Sequence, residues 1–130
     1  MKVGFTGTQV GMTNRQKLEL KEYLQVLGVT ELHHGDCVGA DDEAADIARR
    51  MGIRLVMHPP TDSRKRAYNF RIGEEVRDQH PYLTRNHHIV DETEILIATP
   101  KTGYEELRSG TWATVRYARK LGRRVYVLTP

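Results

Sequence analysis

The chain has 130 residues, of which 38% are hydrophobic and 28% charged, and its formal net charge is +3. This length favours one domain spanning residues 1–130, and no apolar run approaches the roughly 20 residues that a membrane helix needs. The lone Cys37 excludes an internal disulfide, and the N-terminus lacks the apolar core of a signal peptide, so we expect a cytoplasmic protein without membrane contact. The mild positive charge permits an anionic ligand without requiring nucleic acid.

The first half of the chain predicts two strand–turn–helix units. KVGFT is typical of a short strand, and the turn GTQVGMT leads to a helix over residues 14–27, where Thr13 and Gln16 have capping-box spacing. TELHH predicts a second strand, and GDCVGAD leads to a helix over residues 42–51 that Asp41 is placed to cap. Each unit ends in a glycine, as helix C-termini often do.

The second half of the chain is less regular. IRLVMH predicts the third strand, and the long polar segment 60–84 shows no pattern beyond one or two helical turns. A helix that includes HHIVDET is expected to begin near Thr84 and to lead into the fourth strand, EILIAT. A helix over TWATVRYARKL and the strand RRVYVLT then complete an α/β fold: a Rossmann-like parallel sheet of about five strands with helices on both faces.

The loops between these elements locate the ligand site. Loops from helix to strand are short, whereas loops from strand to helix are long and rich in Gly, Thr, Asp and Arg. In an open α/β sheet, ligands bind at the carboxyl edge of the strands, where the loops from strand to helix lie. The residues that we expect to bind the ligand are Gly7, Thr8 and Gln9; Gly35, Asp36 and Gly39; Arg85 and Asn86; and Ser109, Gly110 and Thr111.

The stretch RSGTWAT has the features of an anion-binding helix start. No acidic residue lies in its first turn, and Ser109 and Thr111 add hydroxyls to free N–H groups that favour an anion by about 0.3 to 2 kcal/mol. A phosphate or carboxylate fits this turn best, and the alternative is an ordinary N-cap above a buried Trp112. The acidic start of the second predicted helix would repel a phosphate, so Asp36 is expected to face a ribose or base edge.

Three further patterns leave alternatives open. Arg85 is either a solvated surface arginine or a bidentate phosphate ligand at the same edge. The tract RKRAYNFR over residues 64–71 interleaves cations with aromatic rings, but acidic residues follow at once, so nucleic acid is disfavoured. The histidine pairs lack the spacing of zinc sites, so we expect no metal and no cofactor.

The ordered motifs GFTGTQ, HHGDCVGAD, HPP, RN followed by IVDETEILIATP, and RSGTWATVRYARK together resemble the SLOG superfamily of Rossmann-like nucleotide-binding domains. The resemblance covers almost the whole chain. It is closest to the small members related to YspA, and more distant to the Lonely Guy phosphoribohydrolases and to DprA. It implies a homo-oligomer that binds a nucleotide or a nucleotide-derived small molecule and has a ligand-sensing role.

The same resemblance implies an alternative function, the phosphoribohydrolase activity of the enzymatic branch. The PGGxGTxxE loop of that branch matches Gly110 and Thr111, and Arg85 falls near its upstream arginine, but its glutamate corresponds to Thr114. Threonine is no general base at neutral pH, so cleavage of an N-glycosidic bond would need another carboxylate. The candidates are Glu105, Glu106 and Asp36. A single-stranded nucleic-acid module is the second alternative.

Overall fold

Six parallel strands form one sheet in the computed structural model, which describes residues 1–130. The strands are β1 (Lys2–Gly7), β2 (Glu31–His34), β3 (Arg54–Met57), β4 (Glu75–Val76), β5 (Ile95–Thr99) and β6 (Arg124–Val127). The helices are α1 (Asn14–Val26), α2 (Ala40–Arg50), α3 (Tyr82–Asp91) and α4 (Gly110–Lys120). The strand order β4-β3-β2-β1-β5-β6 confirms the Rossmann-like α/β fold, with six strands instead of about five.

Helices cover both faces of the sheet, and β5 shows how the sequence achieves this. Ile95 and Ile97 belong to a core cluster with residues of α1 and α2, whereas Leu96 and Ala98 belong to a second cluster with residues of α3 and α4. Successive side chains of a strand point to opposite faces, so a strand that is apolar at every position must be covered on both. None of the helices combines the length and apolar character that a membrane span requires.

The extra strand, β4, lies in the segment 60–84, where only one or two helical turns were predicted. It has only two residues, pairs with β3 at the edge of the sheet, and is followed by the hydrogen bond from the N–H of Arg77 to the carbonyl of Met57. A single 3₁₀ turn, Ser63–Lys65, precedes it. Two half-exposed residues are too few to show the alternation of apolar and polar residues that identifies a strand. For this reason about five strands were predicted.

The boundaries of two helices differ from the prediction. The capping box of α1 is present as expected, but α2 begins at Ala40, with Gly39 at the N-cap. The carboxylate of Asp41 therefore does not cap this helix. It turns back to accept the N–H groups of Gly35 and Cys37, both at 3.2 Å.

The helix α3 begins at Tyr82, slightly earlier than the expected start near Thr84. Pro81 occupies the N-cap position with an extended backbone, φ −56° and ψ 152°, and no side chain caps the helix. A proline just before the first helical turn is favourable because it fixes φ and has no N–H to leave unpaired. This helix start therefore carries no polar capping signal in the sequence.

We expect Gly39→Ala to destabilise the protein more than Gly52→Ala. Both glycines have a positive φ, +87° and +75°, which costs an L-residue roughly 1–2 kcal/mol. At Gly39 a Cβ would also lie 2.3 Å from the backbone oxygen of Gln9, whereas at Gly52 it would meet nothing within 4 Å. The clash should add about 1–3 kcal/mol. Urea unfolding of both variants measures the difference, and equal losses would contradict it.

Candidate functional site

A cavity of about 700 Å³ opens at the carboxyl edge of the sheet. The strand order reverses at β1, whose neighbours are β2 on one side and β5 on the other. The loops after β1 and β5 therefore diverge to opposite faces and leave a crevice between them, which is the usual ligand position in open α/β folds. A volume of this size is within the range of small-molecule sites.

Nine of the eleven residues predicted to bind the ligand line this cavity, and they come from four separate parts of the chain: the end of β1 with its turn, the turn after β2, the first half of α3 and the start of α4. They are Gly7, Thr8 and Gln9; Gly35; Arg85 and Asn86; and Ser109, Gly110 and Thr111. The other two, Asp36 and Gly39, lie outside it. The strand-end loops thus meet as the topology requires, although residues 7 and 111 are far apart in sequence.

The two strand-end glycines in the cavity wall serve packing. A Cβ on Gly7 would lie 2.3 Å from Oγ1 of Thr99, and a Cβ on Gly35 would lie 2.3 Å from Nη1 of Arg85. Either contact is far below the sum of van der Waals radii, so a side chain at these positions would displace its neighbours. Gly35 in particular lets the guanidinium of Arg85 rest directly on the backbone.

Arg85 is the most unusual residue of the cavity because it is a buried cation, with 4% of its surface exposed. Its guanidinium donates to the carbonyls of Gly35 and His58, the latter at 3.2 Å, and to Oδ1 of Asn86 at 2.7 Å. The thiol of Cys37, whose pKa is raised by burial, accepts a further contact at 3.6 Å. All of these partners are uncharged. Arg85 is therefore not a solvated surface arginine.

The N-terminus of α4 forms the opposite wall. Oγ of Ser109 accepts the N–H of Trp112 at 3.3 Å and so caps the helix. The N–H groups of Gly110 and Thr111 belong to the first turn, which has no intrahelical acceptors for them. A Cβ at Gly110 would meet nothing within 4 Å, so open space adjoins these N–H groups. The hydroxyl cap and an anion-binding turn are compatible in this geometry.

Asp36 is not at the cavity, contrary to the sequence expectation. It is fully buried, and its carboxylate accepts Nε of Arg66 at 2.9 Å and the N–H groups of Tyr68 and Asn69 at 3.2 and 3.1 Å. Its φ of 55° places it in the left-handed region, which aspartate tolerates better than most residues. Asp36 therefore holds residues 66–69 against the turn after β2.

Residues 62–69, which we call the anchor segment, bring further side chains to the cavity. Arg64 and Lys65 line the wall, and Nζ of Lys65 donates to Oε1 of Gln9 at 2.9 Å. With them the cavity has four cationic and three acidic side chains in its lining. Arg64 and Lys65 were not among the predicted ligand residues because their position depends on contacts with Asp36, and the only signal for it is the proximity of RKR to the carboxyl end of the third strand.

The three carboxylates that could serve the hydrolase alternative differ in whether they reach the cavity. Glu106 lines the cavity and accepts Oγ1 of Thr102 at 2.8 Å, whereas Glu105 pairs with Arg116 at 2.9 Å and does not line it. Asp36 is enclosed by its hydrogen-bond donors. Thr114 is buried, and its hydroxyl donates to the carbonyl of Gly110 at 2.9 Å within α4. Glu106 is thus the candidate carboxylate that the cavity can use.

No family model matches the chain, and no curated protein matches it in sequence. Solved structures do match. The molybdenum cofactor binding protein from Rippkaea orientalis has a TM-score of 0.73 at 18% identity, covering 99% of this chain and 76% of that one. DprA from Streptococcus pneumoniae has 0.70 at 18%, covering 97% and 49%, and DprA from Helicobacter pylori has 0.65 at 20%, covering 98% and 64%. These similarities confirm the Rossmann-like α/β fold that the sequence predicts.

We expect Asp41→Asn to change how the stability of the protein depends on pH. Burial raises the pKa of Asp41 to about 6, although Arg85 and the N–H groups of Cys37 and Gly35 oppose the increase. The folded protein therefore holds this proton more tightly than the unfolded chain, whose aspartate pKa is near 3.8. The resulting stabilisation is complete below about pH 3.8 and is lost as the pH rises through 6; its size is roughly 3 kcal/mol.

The measurement is urea unfolding of the wild type and of Asp41→Asn at several pH values between 4 and 7.5. Asparagine keeps an oxygen for the two N–H groups but does not titrate. Relative to wild type, the variant should gain up to about 3 kcal/mol across this range. Parallel pH profiles for the two proteins would contradict the prediction.

Proposed function

We propose that the chain is a single SLOG-type domain, residues 1–130, that binds a nucleotide or a nucleotide-derived small molecule in the carboxyl-edge cavity. The proposal includes a ligand-sensing role, a cytoplasmic location and a homo-oligomeric assembly, as the sequence and its resemblance imply. The observation that carries it is the buried guanidinium of Arg85, which borders the cavity and forms no ion pair with a carboxylate.

A buried cation with only neutral partners is costly, since hydrogen bonds to carbonyls do not replace the solvation of a full charge. The carboxylate of Asp41 reduces this cost at a distance, but it is itself engaged by two backbone N–H groups. An anionic ligand in the cavity would offset the charge of Arg85 directly. Arginine suits phosphate and carboxylate because its planar guanidinium donates two parallel hydrogen bonds.

The rest of the lining fits a phosphorylated ligand. The free N–H groups at Gly110 and Thr111 are placed for a phosphate, and Lys65 and Lys101 add positive charge to the same cavity. The turn of residues 7–9 offers the hydroxyl of Thr8 and the amide of Gln9 to a sugar or base. Tyr82 and the largely exposed Leu83 supply apolar surface on the remaining side.

We expect the variants Gly110→Asp and Gly110→Ala to differ sharply in ligand binding. Both side chains enter open space, so both proteins should fold. A carboxylate beside the first-turn N–H groups would repel a phosphate and weaken its binding at least tenfold, whereas a methyl group should change binding less than threefold. The measurement is a thermal-shift screen followed by calorimetry, because a ligand that binds the folded state raises the melting temperature.

The ligand panel contains nucleoside mono-, di- and triphosphates, NAD, ADP-ribose and cyclic nucleotides. Molybdenum cofactor is added because the Rippkaea orientalis protein is described as binding it. Equal binding by the two Gly110 variants would contradict the placement of the phosphate on α4. Release of free base from AMP by the wild type, abolished in Glu106→Gln, would replace the binding proposal with the phosphoribohydrolase alternative.

Single-stranded nucleic acid is the second candidate, because two exposed aromatic side chains stand beside cations on the far side of the anchor segment. Tyr68 is 55% and Phe70 46% exposed, and Arg71 follows them. Aromatic rings on which bases stack, next to basic side chains, are typical of single-strand binding sites. The DprA from Helicobacter pylori, which shares the fold, is described in terms of its single-stranded DNA binding mode.

If this second candidate is correct, a labelled oligonucleotide should bind with an affinity that falls steeply as salt increases, because binding releases counterions. Phe70→Ala should weaken that binding by roughly 5- to 150-fold, in line with about 1–3 kcal/mol for the loss of a stacked base, and Arg71→Gln should reduce its dependence on salt. Neither residue lines the cavity, so mononucleotide binding should not change. Fluorescence anisotropy at several salt concentrations tests this, and the absence of binding at low salt would remove the candidate.

A further inference from the structure

A second polar cluster lies outside the cavity, on the face of the sheet covered by α3. His33 lies in β2, His58 directly follows β3, and Glu92 is the C-cap residue of α3. Each can offer one metal-ligand atom, and these atoms lie within 4.8 Å of one another. Both histidines are almost completely buried, at 1% and 2% exposure, and none of the three lines the cavity.

The environment of His33 orients its ring. Nε2 of His33 lies 2.7 Å from Oε2 of Glu31, so the carboxylate accepts the proton of that nitrogen. Nδ1 then carries a lone pair, which faces Nε2 of His58 at 2.8 Å. A carboxylate that fixes the tautomer of a histidine in this way is the usual outer neighbour of a metal-bound imidazole. Nδ1 of His33 can therefore donate its lone pair to a metal ion.

Glu92 completes the set from the solvent side. One of its carboxylate oxygens lies 3.8 Å from Nδ1 of His58, and the other accepts Nη2 of Arg77 at 2.7 Å. Its side chain is 37% exposed, so this member of the set is accessible from solvent, whereas the two rings are buried. Two imidazole nitrogens and one carboxylate oxygen are a common donor set for zinc, with a water molecule as the fourth ligand.

We propose that His33, His58 and Glu92 form a site for a divalent transition-metal ion of the zinc class, with Glu31 as the residue that orients His33. Ligand atoms around tetrahedral zinc lie about 3.3 Å apart, so Nδ1 of His33 and Nε2 of His58 must separate by about 0.5 Å as the ion replaces their hydrogen bond. Glu92 now lies 3.8 Å from the opposite nitrogen of His58, Nδ1, so the site also requires its exposed side chain to turn towards Nε2. The site departs from the sequence expectation of no metal.

The test uses the full chain, freed of metal with a chelator, and titrates it with Co²⁺ and then with Zn²⁺ as competitor. One equivalent of Co²⁺ should produce the strong visible absorption of a four-coordinate site, and Zn²⁺ should abolish it. Glu92→Gln should weaken binding at least tenfold, and Glu31→Gln should weaken it roughly 10- to 100-fold, as outer-shell changes do. His58→Gln should abolish it.

Two matched variants serve as controls. Glu94→Gln alters an exposed glutamate two residues beyond Glu92, and His87→Gln alters an exposed histidine of α3; neither residue belongs to the cluster. Both should bind the metal within twofold of wild type. Circular dichroism verifies folding, and if His58→Gln does not fold, the surface variant Glu92→Gln still decides the question.

The proposal is overturned if the wild type binds no Zn²⁺ at micromolar concentrations, or if Glu92→Gln binds as tightly as Glu94→Gln. Loss of binding in His87→Gln with retention in Glu92→Gln would overturn it as well, because the metal would then occupy a surface site. The titration contains no nucleotide. Its failure and the failure of the cavity to bind nucleotides are therefore separate results.

Discussion

The shape of the cavity depends on the buried carboxylate of Asp36. Three donors from residues 66–69 converge on it, one of them the guanidinium of Arg66, whose side chain is only 7% exposed. Removing one partner of a buried ion pair leaves the other charge uncompensated, at a cost of about 3–5 kcal/mol. Together with the hydrogen bond from the N–H of Val38 to the carbonyl of Lys65, this interaction positions Arg64 and Lys65, and with them one wall of the cavity.

Arg66 and Arg85 both have enclosed side chains, but only Arg66 has a charged partner within the protein. This difference distinguishes a structural arginine from one that is available to a ligand. Arg66 has an aspartate within 2.9 Å and stacks on the ring of Tyr68 at 4.2 Å, so its charge is satisfied within the chain. Arg85 is also enclosed and lies over the ring of Tyr82 at 5.3 Å, but its hydrogen-bond partners are carbonyls, an amide oxygen and a thiol, with no carboxylate among them. Its position beside an open cavity is therefore the feature that most favours an anionic ligand, more than the helix terminus opposite.

The sequence predicted those parts of the molecule that local patterns determine. The capping box of α1 and the apolar run of β5 are contiguous signals, and the order of strands and helices placed the polar loops at one edge. The role of Asp36 was predicted wrongly because its partners lie about 30 residues away in an irregular segment. The contact between His33 and His58 could not be predicted either, because the two residues are distant in sequence and meet through the pairing of adjacent parallel strands.

The order of residues within the anchor segment has an evolutionary consequence. Arg64 and Lys65 face the cavity, while the next residue, Arg66, makes the ion pair that holds the segment. The residues that face the ligand and the residue that attaches the segment are therefore different, although they are adjacent in the sequence. Exchanges at 64 and 65 leave the ion pair between Arg66 and Asp36 in place, so descendants of such a chain can diverge in ligand choice through single substitutions that preserve this attachment.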